Sequence, residues 1–160
     1  DLATQALTRV TNDDAIDTEP EWAADGTSLY FTSDRAGSPQ IYQVSVGEGR
    51  EPQRLTFTNS YNARPRLAPD GKTLALVTLD RGGYRIATFD LQTRNLRVLT
   101  DATQDESPSF APNGAVIIYA TQAGGRGALA MVSSDGRFQQ RLSSERGDVR
   151  EPVWSPFPRP

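Results

Sequence analysis

The stretch EPEWAADG, Glu19 to Gly26, decides how this chain is read, because it comes back. It returns as RPRLAPDG at Arg64 to Gly71, as SPSFAPNG at Ser107 to Gly114, and in shortened form as EPVWSP at Glu151 to Pro156. The prolines stand at 20, 65, 108 and 152, in steps of 45, 43 and 44. The Asp-Gly or Asn-Gly pairs begin at 25, 70 and 113. A third marker keeps the same phase: Leu55-Thr56, Leu99-Thr100 and Leu142-Ser143. Three markers in step define an internal repeat, which has to be recognised before any other structural reading.

Within each unit the apolar period is two. In the first, a short strand around Trp22 meets the Asp25-Gly26 turn. Leu29, Tyr30 and Phe31 follow as a second strand, then a turn over Ser33 to Gly37. Ile41, Tyr42, Val44 and Val46 make a third strand, Gly47 to Gly49 turn again, and Gln53 to Thr56 begin a fourth. The second unit repeats this with Leu74, Leu76 and Val77, then Tyr84, Ile86 and Phe89, then Leu96, Val98 and Leu99. The third carries Val116 to Tyr119, then Leu129, Met131 and Val132, then Phe138 and Leu142. Short apolar runs bounded by Gly-rich turns are hairpin chemistry, since Gly and Asn accept the positive φ of tight turns.

Four strands per unit of about 44 residues is the arithmetic of a β-propeller blade. The expected fold is therefore all-β, a propeller of four-stranded antiparallel blades. A sandwich would not need the same sequence in every unit. Asp1 to Leu7 lines up with Asp90 to Leu96, so residues 1–10 are expected as outer strand of a preceding blade. Blades follow over 11–56, 57–100 and 101–143, and 144–160 is expected as the inner strand of a closing blade with a tail. Three full and two partial blades make an incomplete ring, whose open sheet edges would invite aggregation. The chain is thus expected to be a piece of a longer propeller whose remainder, N-terminal to residue 1, is its first partner. The absence of an initial Met agrees with a processed or excised product.

Composition narrows function. With 17 Lys and Arg against 20 Asp and Glu the net charge is −3, which disfavours nucleic acid and anionic membranes as partners. No apolar run approaches the ~20 residues of a membrane helix, so no direct membrane insertion is expected. His and Cys are both absent, which removes Ser-His-Asp and Cys-His catalysis and imidazole or thiolate zinc sites.

The first repeat, W-x-x-D-G followed by YFTSDRAG (Tyr30 to Gly37) and Ile41-Tyr42, is similar to the blade repeat of the TolB superfamily of propellers. Asp17 to Pro20, Leu91 to Thr93, Ser107 to Ser109, Ala111 to Gly114, Val132 to Phe138 and Trp154 to Phe157 resemble that family in detail. The resemblance covers the whole chain. It implies the C-terminal part of a six-bladed propeller in a non-enzymatic periplasmic protein of the Tol–Pal system of Gram-negative bacteria, without the family's N-terminal domain. It also implies a partner, the peptidoglycan-associated lipoprotein (Pal), at the mouth of the central channel, and a role in outer-membrane integrity and cell division.

Propellers recognise partners with the loops that stacked sheets hold rigid at one face. The residues just before each inner strand are expected to ring the channel entrance. These are Asp17, Thr18 and Glu19 in the first blade, and Tyr61, Asn62, Ala63 and Arg64 in the second. Asp105, Glu106 and Ser107 occupy the place in the third, and Arg150 and Glu151 at the end. The resemblance singles out Thr18 as lying near the partner contact; phase alone places the others. Each has a plain structural reading too, since polar residues before a strand often cap turns. Trp22 and Trp154 are expected to pack between blades, where Leu67 and Phe110 stand in other units. The Asp34-Arg35 and Asp80-Arg81 pairs are expected to fix turns as surface ion pairs.

Three alternatives stay open. The acidic residues Asp13, Asp14, Asp17, Glu19, Glu21, Asp105 and Glu106 would suit acid–base catalysis, yet no nucleophile motif accompanies them, so no catalytic residue is assigned. Oxygen ligands at the mouth would make a calcium-binding propeller module, but no D-x-D-x-D loop exists; no cofactor or metal residue is assigned. An accessory propeller of a peptidase is the remaining alternative.

Overall fold

The computed structural model describes residues 1–47, 50–142 and 147–156. Glu48 and Gly49 of the third turn, Ser143 of the third Leu-Thr/Ser marker and Phe157 of the closing motif lie outside them, as do 144–146 and 158–160. Among the described residues there is no helix. These residues carry twelve strands in three four-stranded antiparallel sheets. The first holds β1 (Asp17–Trp22), β2 (Ser28–Ser33), β3 (Gln40–Ser45) and β4 (Gln53–Arg54). The second holds β5 (Asn62–Leu67), β6 (Thr73–Asp80), β7 (Gly83–Asp90) and β8 (Leu96–Val98). The third holds β9 (Glu106–Phe110), β10 (Val116–Ala123), β11 (Arg126–Ser133) and β12 (Gln139–Arg141). Each sheet runs in strand order, one blade per repeat.

Each sequence marker has its own physical cause. The prolines sit in β-bulges, where two residues face one. Glu19-Pro20 stand opposite the gap between Tyr30 and Thr32, Arg64-Pro65 between Ala75 and Val77, and Ser107-Pro108 between Ile118 and Ala120. A bulge leaves a residue out of the ladder, which is where a residue without an N–H fits. The Asp-Gly and Asn-Gly pairs close the inner hairpins. Gly26, Gly71 and Gly114 adopt φ of 67°, 70° and 70°, while Asp25, Asp70 and Asn113 accept the amide two residues on at 2.8, 2.9 and 3.0 Å. The Leu-Thr pair ties the outer edge to the third strand. Leu55 and Leu99 donate to the carbonyls of Ile41 and Ile86 at 2.8 Å, and the Thr56 and Thr100 hydroxyls accept those residues' amides at 3.0 Å.

The blades stack face to face. Tyr30, Ile41 and Leu55 of the first pack against Leu74, Leu76, Ala87 and Phe89 of the second. Ala75, Val77, Ile86 and Leu99 of the second pack against Phe110, Ile117, Tyr119, Ala130 and Val132 of the third. β6 therefore reads as a continuous apolar run, because its alternate residues are buried on both faces.

The tryptophan expectation needs correction. Leu67 and Phe110 do face the preceding blade, but Trp22 is 56% exposed and Trp154 is exposed as well. Trp22 pairs with Leu29 on the face of the first sheet that carries Phe31, Tyr42 and Val44, opposite the second blade. No blade covers that face among the described residues.

No strand is assigned over 1–10, the stretch expected as an outer strand. The turn itself is nonetheless repeated. Asp1 accepts the amides of Ala3 and Thr4 at 2.9 and 2.7 Å, as Asp90 accepts those of Gln92 and Thr93 at 3.0 and 2.7 Å. Gln5 and Arg94 share left-handed φ values of 59° and 61°. Residues 147–156 likewise form no strand, although Val149 donates to the Gly127 carbonyl at 3.4 Å as Asp105 does to Tyr84 at 2.9 Å.

Candidate binding site at the channel mouth

The inner strands β1, β5 and β9 lie side by side and are tied by side chains reaching to the next blade. Glu19 takes the Arg64 amide at 2.9 Å on one carboxylate oxygen and the Arg64 guanidinium at 2.9 Å on the other. The Thr32 hydroxyl donates to it at 3.0 Å. Arg64 donates onward to the Ser107 hydroxyl at 2.5 Å and stands 3.9 Å from Glu106. Glu21 accepts the Leu67 amide at 3.1 Å, and Ser109 accepts that of Trp154 at the same distance. A polar chain thus crosses three consecutive blades at the edge of a channel-side cavity of about 560 Å³, lined by Glu19, Glu21, Arg64, Arg66, Ser107 and Glu151 among others.

A feature the sequence reading missed sits in this row. Glu19, Arg64, Ser107 and Glu151 all have left-handed φ, at 56°, 58°, 54° and 51°. None is Gly, Asn or Asp, and each precedes the repeat proline. Such conformations cost roughly 1–3 kcal/mol each and persist only where the surroundings enforce them. At Glu19, Arg64 and Ser107 the bulge and the cross-blade hydrogen bonds do so. The only sequence signal was the X-Pro pair at a fixed phase.

The structure divides the candidate residues. Thr18, Arg150 and Glu151 are exposed, and Asp17, Glu19, Tyr61, Arg64 and Glu106 are partly so. Asn62, Ala63 and Asp105 are sealed inside the fold, so these three do not present side chains at the mouth, whereas the nearly buried Ser107 reaches it only through the hydroxyl that accepts Arg64. Asn62 is part of an amide–hydroxyl network between blades. It donates to Gln40 at 3.0 Å and to the Thr58 carbonyl at 2.7 Å, while Thr56 donates to Gln40 at 2.8 Å. Asp105 holds the equivalent place in the next interface, with Arg85 where Gln40 stands and Thr100 where Thr56 stands. The Thr100 and Thr121 hydroxyls lie beside its carboxylate, yet neither oxygen closes a hydrogen bond of normal geometry. Burial therefore dominates and pushes the Asp105 carboxyl above its usual range.

The ion-pair expectation also changes. Arg35 bonds not to Asp34 but to both oxygens of Asp17 at 3.0 Å, over the rings of Phe31 and Tyr42. Burial alone would raise the Asp17 carboxyl, but hydrogen bonds from Ser33, Thr11 and Arg35 together hold it below its ordinary value. Asp34 instead accepts the Ile16 amide at 2.9 Å, and Asp80 faces Arg85 at 3.3 Å more closely than Arg81 at 3.9 Å.

Between the second and third blades the mouth opens into a cavity of about 360 Å³. Val77 and Ala120 form its floor, and Tyr61 and Tyr84 meet edge-to-face on its wall at 5.1 Å. Arg64, Glu106, Gln104, Gln122 and Arg150 stand around the rim. No cluster of three or more Asp or Glu side chains suited to a metal ion gathers among the described residues. No helix among them is long and apolar enough to cross a membrane.

Comparison with known proteins gives a consistent family. The model of the TolB beta propeller domain matches residues 1–158. The Tol-Pal system protein TolB of Bordetella pertussis is 50% identical over 153 residues, which cover 96% of this chain and 35% of that protein. The protein of that name from Pseudomonas aeruginosa is 52% identical over 103 residues, 63% of this chain and 24% of the relative. The crystal structure of TolB from Acinetobacter baumannii superimposes with a TM-score of 0.88 at 50% identity, covering 98% of this chain and 39% of that one. The chain thus spans little more than a third of the first relative and of the solved structure. A puromycin hydrolase matches at a TM-score of 0.71 but only 14% identity, a likeness of fold alone.

Proposed function

The chain belongs to the TolB β-propeller family, and from that premise we propose that it supplies part of the protein-binding mouth of a non-enzymatic, periplasmic Tol–Pal propeller. Its partner is the peptidoglycan-associated lipoprotein, and the role of the whole protein is to support outer-membrane integrity during cell division in a Gram-negative bacterium. The observation that carries this reading is the polar row Glu19–Arg64–Ser107/Glu106, held across three blades beside the exposed Thr18. Strained, cross-braced side chains at a rigid rim are preorganised for a partner, which lowers the ordering cost of binding. A packing role does not account for them, since the blade cores lie elsewhere.

The test uses the full-length protein containing this chain and the soluble domain of its lipoprotein, with affinity read by calorimetry. Thr18→Arg and Glu106→Arg each add bulk and positive charge at the rim. Each is expected to weaken binding by tenfold or more with little change in melting temperature. Unchanged affinity in both variants would remove the mouth as the site.

A further inference from the structure

The cavity between the second and third blades is not a general feature of the repeat. The rim position held by Tyr84 is defined by one backbone contact made in every unit: Asn62 donates to the Pro39 carbonyl, Asp105 to that of Tyr84, and Val149 to that of Gly127. Only the middle blade places an aromatic ring there. Tyr84 is 43% exposed, yet its backbone is pinned twice by one segment, because its amide also donates to the Thr103 carbonyl at 2.9 Å. An exposed aromatic on a fixed backbone, edge-on to a second tyrosine and above an apolar floor of Val77 and Ala120, is built as a contact surface.

The charges around the cavity say what fits it. The Arg64 guanidinium is matched by Glu19 at 2.9 Å and Arg150 by Asp148 at 2.9 Å. Glu106 faces Arg64 at 3.9 Å, and the Asp105 carboxylate is sealed from solvent. The rim charges are already matched to one another, so an incoming acid or base gains little net charge complementarity there. The exposed amides of Gln104 and Gln122 on the rim suit a neutral hydrogen-bonding tip. At about 360 Å³ the space lies at the small end for ligand sites.

We infer that this cavity is the anchor pocket of the mouth and receives one uncharged aromatic side chain with a hydrogen-bonding tip, a tyrosine of the partner protein. The ring packs on Tyr61, Tyr84, Val77 and Ala120, and its hydroxyl meets the glutamine amides. This rests on the reading of the mouth as a protein-binding surface, and it adds which point of that surface holds the partner and by what chemistry.

The full-length protein tests it in two ways. Tyr84→Ala removes the wall at a position where other blades carry Pro39 and Gly127, so the fold tolerates a small residue there. Gln122→Trp narrows the opening. Both are expected to weaken lipoprotein binding about tenfold or more, through faster dissociation, with the melting temperature unchanged. In the second arm, N-acetyl-tyrosinamide is titrated by NMR against the protein alone. It is expected to shift resonances of Tyr61, Tyr84 and Ala120, while N-acetyl-lysinamide and the corresponding aspartate derivative do not. Wild-type affinity in both variants would overturn the inference, and so would a preference for either charged probe. If Thr18→Arg still abolishes binding, only the anchor fails; if Thr18→Arg and Glu106→Arg are also silent, the mouth reading fails with it.

Discussion

The two inter-blade interfaces contain one polar network written twice with different residues, and the difference is measurable. Gln40, Thr56 and Asn62 meet as neutral groups, joined by hydrogen bonds of 2.8 and 3.0 Å. Arg85, Thr100 and Asp105 stand in the same places, with both Asp105 oxygens and the Arg85 Nε left without partners. A carboxyl whose folded value is raised above 3.8 binds its proton more tightly in the fold than in the unfolded chain. Its contribution to stability is therefore largest at low pH and is lost as pH rises from about 3.8 through the folded value, leaving a constant penalty above. Asp105→Asn places the amide that serves at position 62 into the same setting. It is expected to raise stability at neutral pH by about 1 kcal/mol, and the gain should shrink towards pH 4. Urea unfolding across that range checks both sign and window; a variant less stable than the parent at pH 7 would show that Arg85 depends on this carboxylate.

These residues also show what the sequence made legible at this scale. Phase places Asn62 and Asp105 at the mouth because it locates a residue along a strand but not the side to which it points. Asp17 occupies the same phase as both, yet it binds Arg35 and stays partly exposed. Burial at these positions depends on what the neighbouring blade offers, which no single repeat contains. In the repeat pattern Tyr84 is one apolar residue of a strand, and its role on the rim depends on Tyr61 from the loop before β5.

At the scale of the element, the hairpin turns are the most secure part of the reading, because Asp-Gly and Asn-Gly carry their own geometry. They still differ in context. A Cβ on Gly114 would meet the Pro69 Cδ of the preceding blade at 3.7 Å, an ordinary contact, whereas a Cβ on Gly71 would come within 2.9 Å of the Ala24 Cβ in the neighbouring blade. Both glycines have positive φ, so Ala is strained at either site. Gly114→Ala is expected to cost about 1 kcal/mol from backbone strain. Gly71→Ala should cost more, about 2–3 kcal/mol, because steric crowding between blades is added. Thermal melts of the two variants test whether the turns serve only their own hairpins or also the stacking. The left-handed residues before the prolines were not legible in the same way. Glu, Arg and Ser carry no preference for positive φ, and the conformation comes from the bulge and its cross-blade bonds.

For the molecule as a whole, the repeat led directly to the stacked sheets, since three markers spaced by a blade's length leave few other architectures. What the repeat could not convey was which faces are covered. Trp22 sits at the phase of Leu67 and Phe110 but stays exposed, because the packing of an inner strand is completed by the blade before it. The recognition surface is likewise a property of neighbouring blades. The row from Glu19 through Arg64 to Glu106 and Ser107 joins residues about one repeat apart.

The most direct test of this account is amide hydrogen exchange on the full-length protein, with and without the lipoprotein's soluble domain. Added protection is predicted in peptides covering 17–19, 61–64, 81–84, 103–107 and 148–151, with none in the outer strands β4, β8 and β12. Protection confined to those outer strands, with the mouth peptides unchanged, would contradict it.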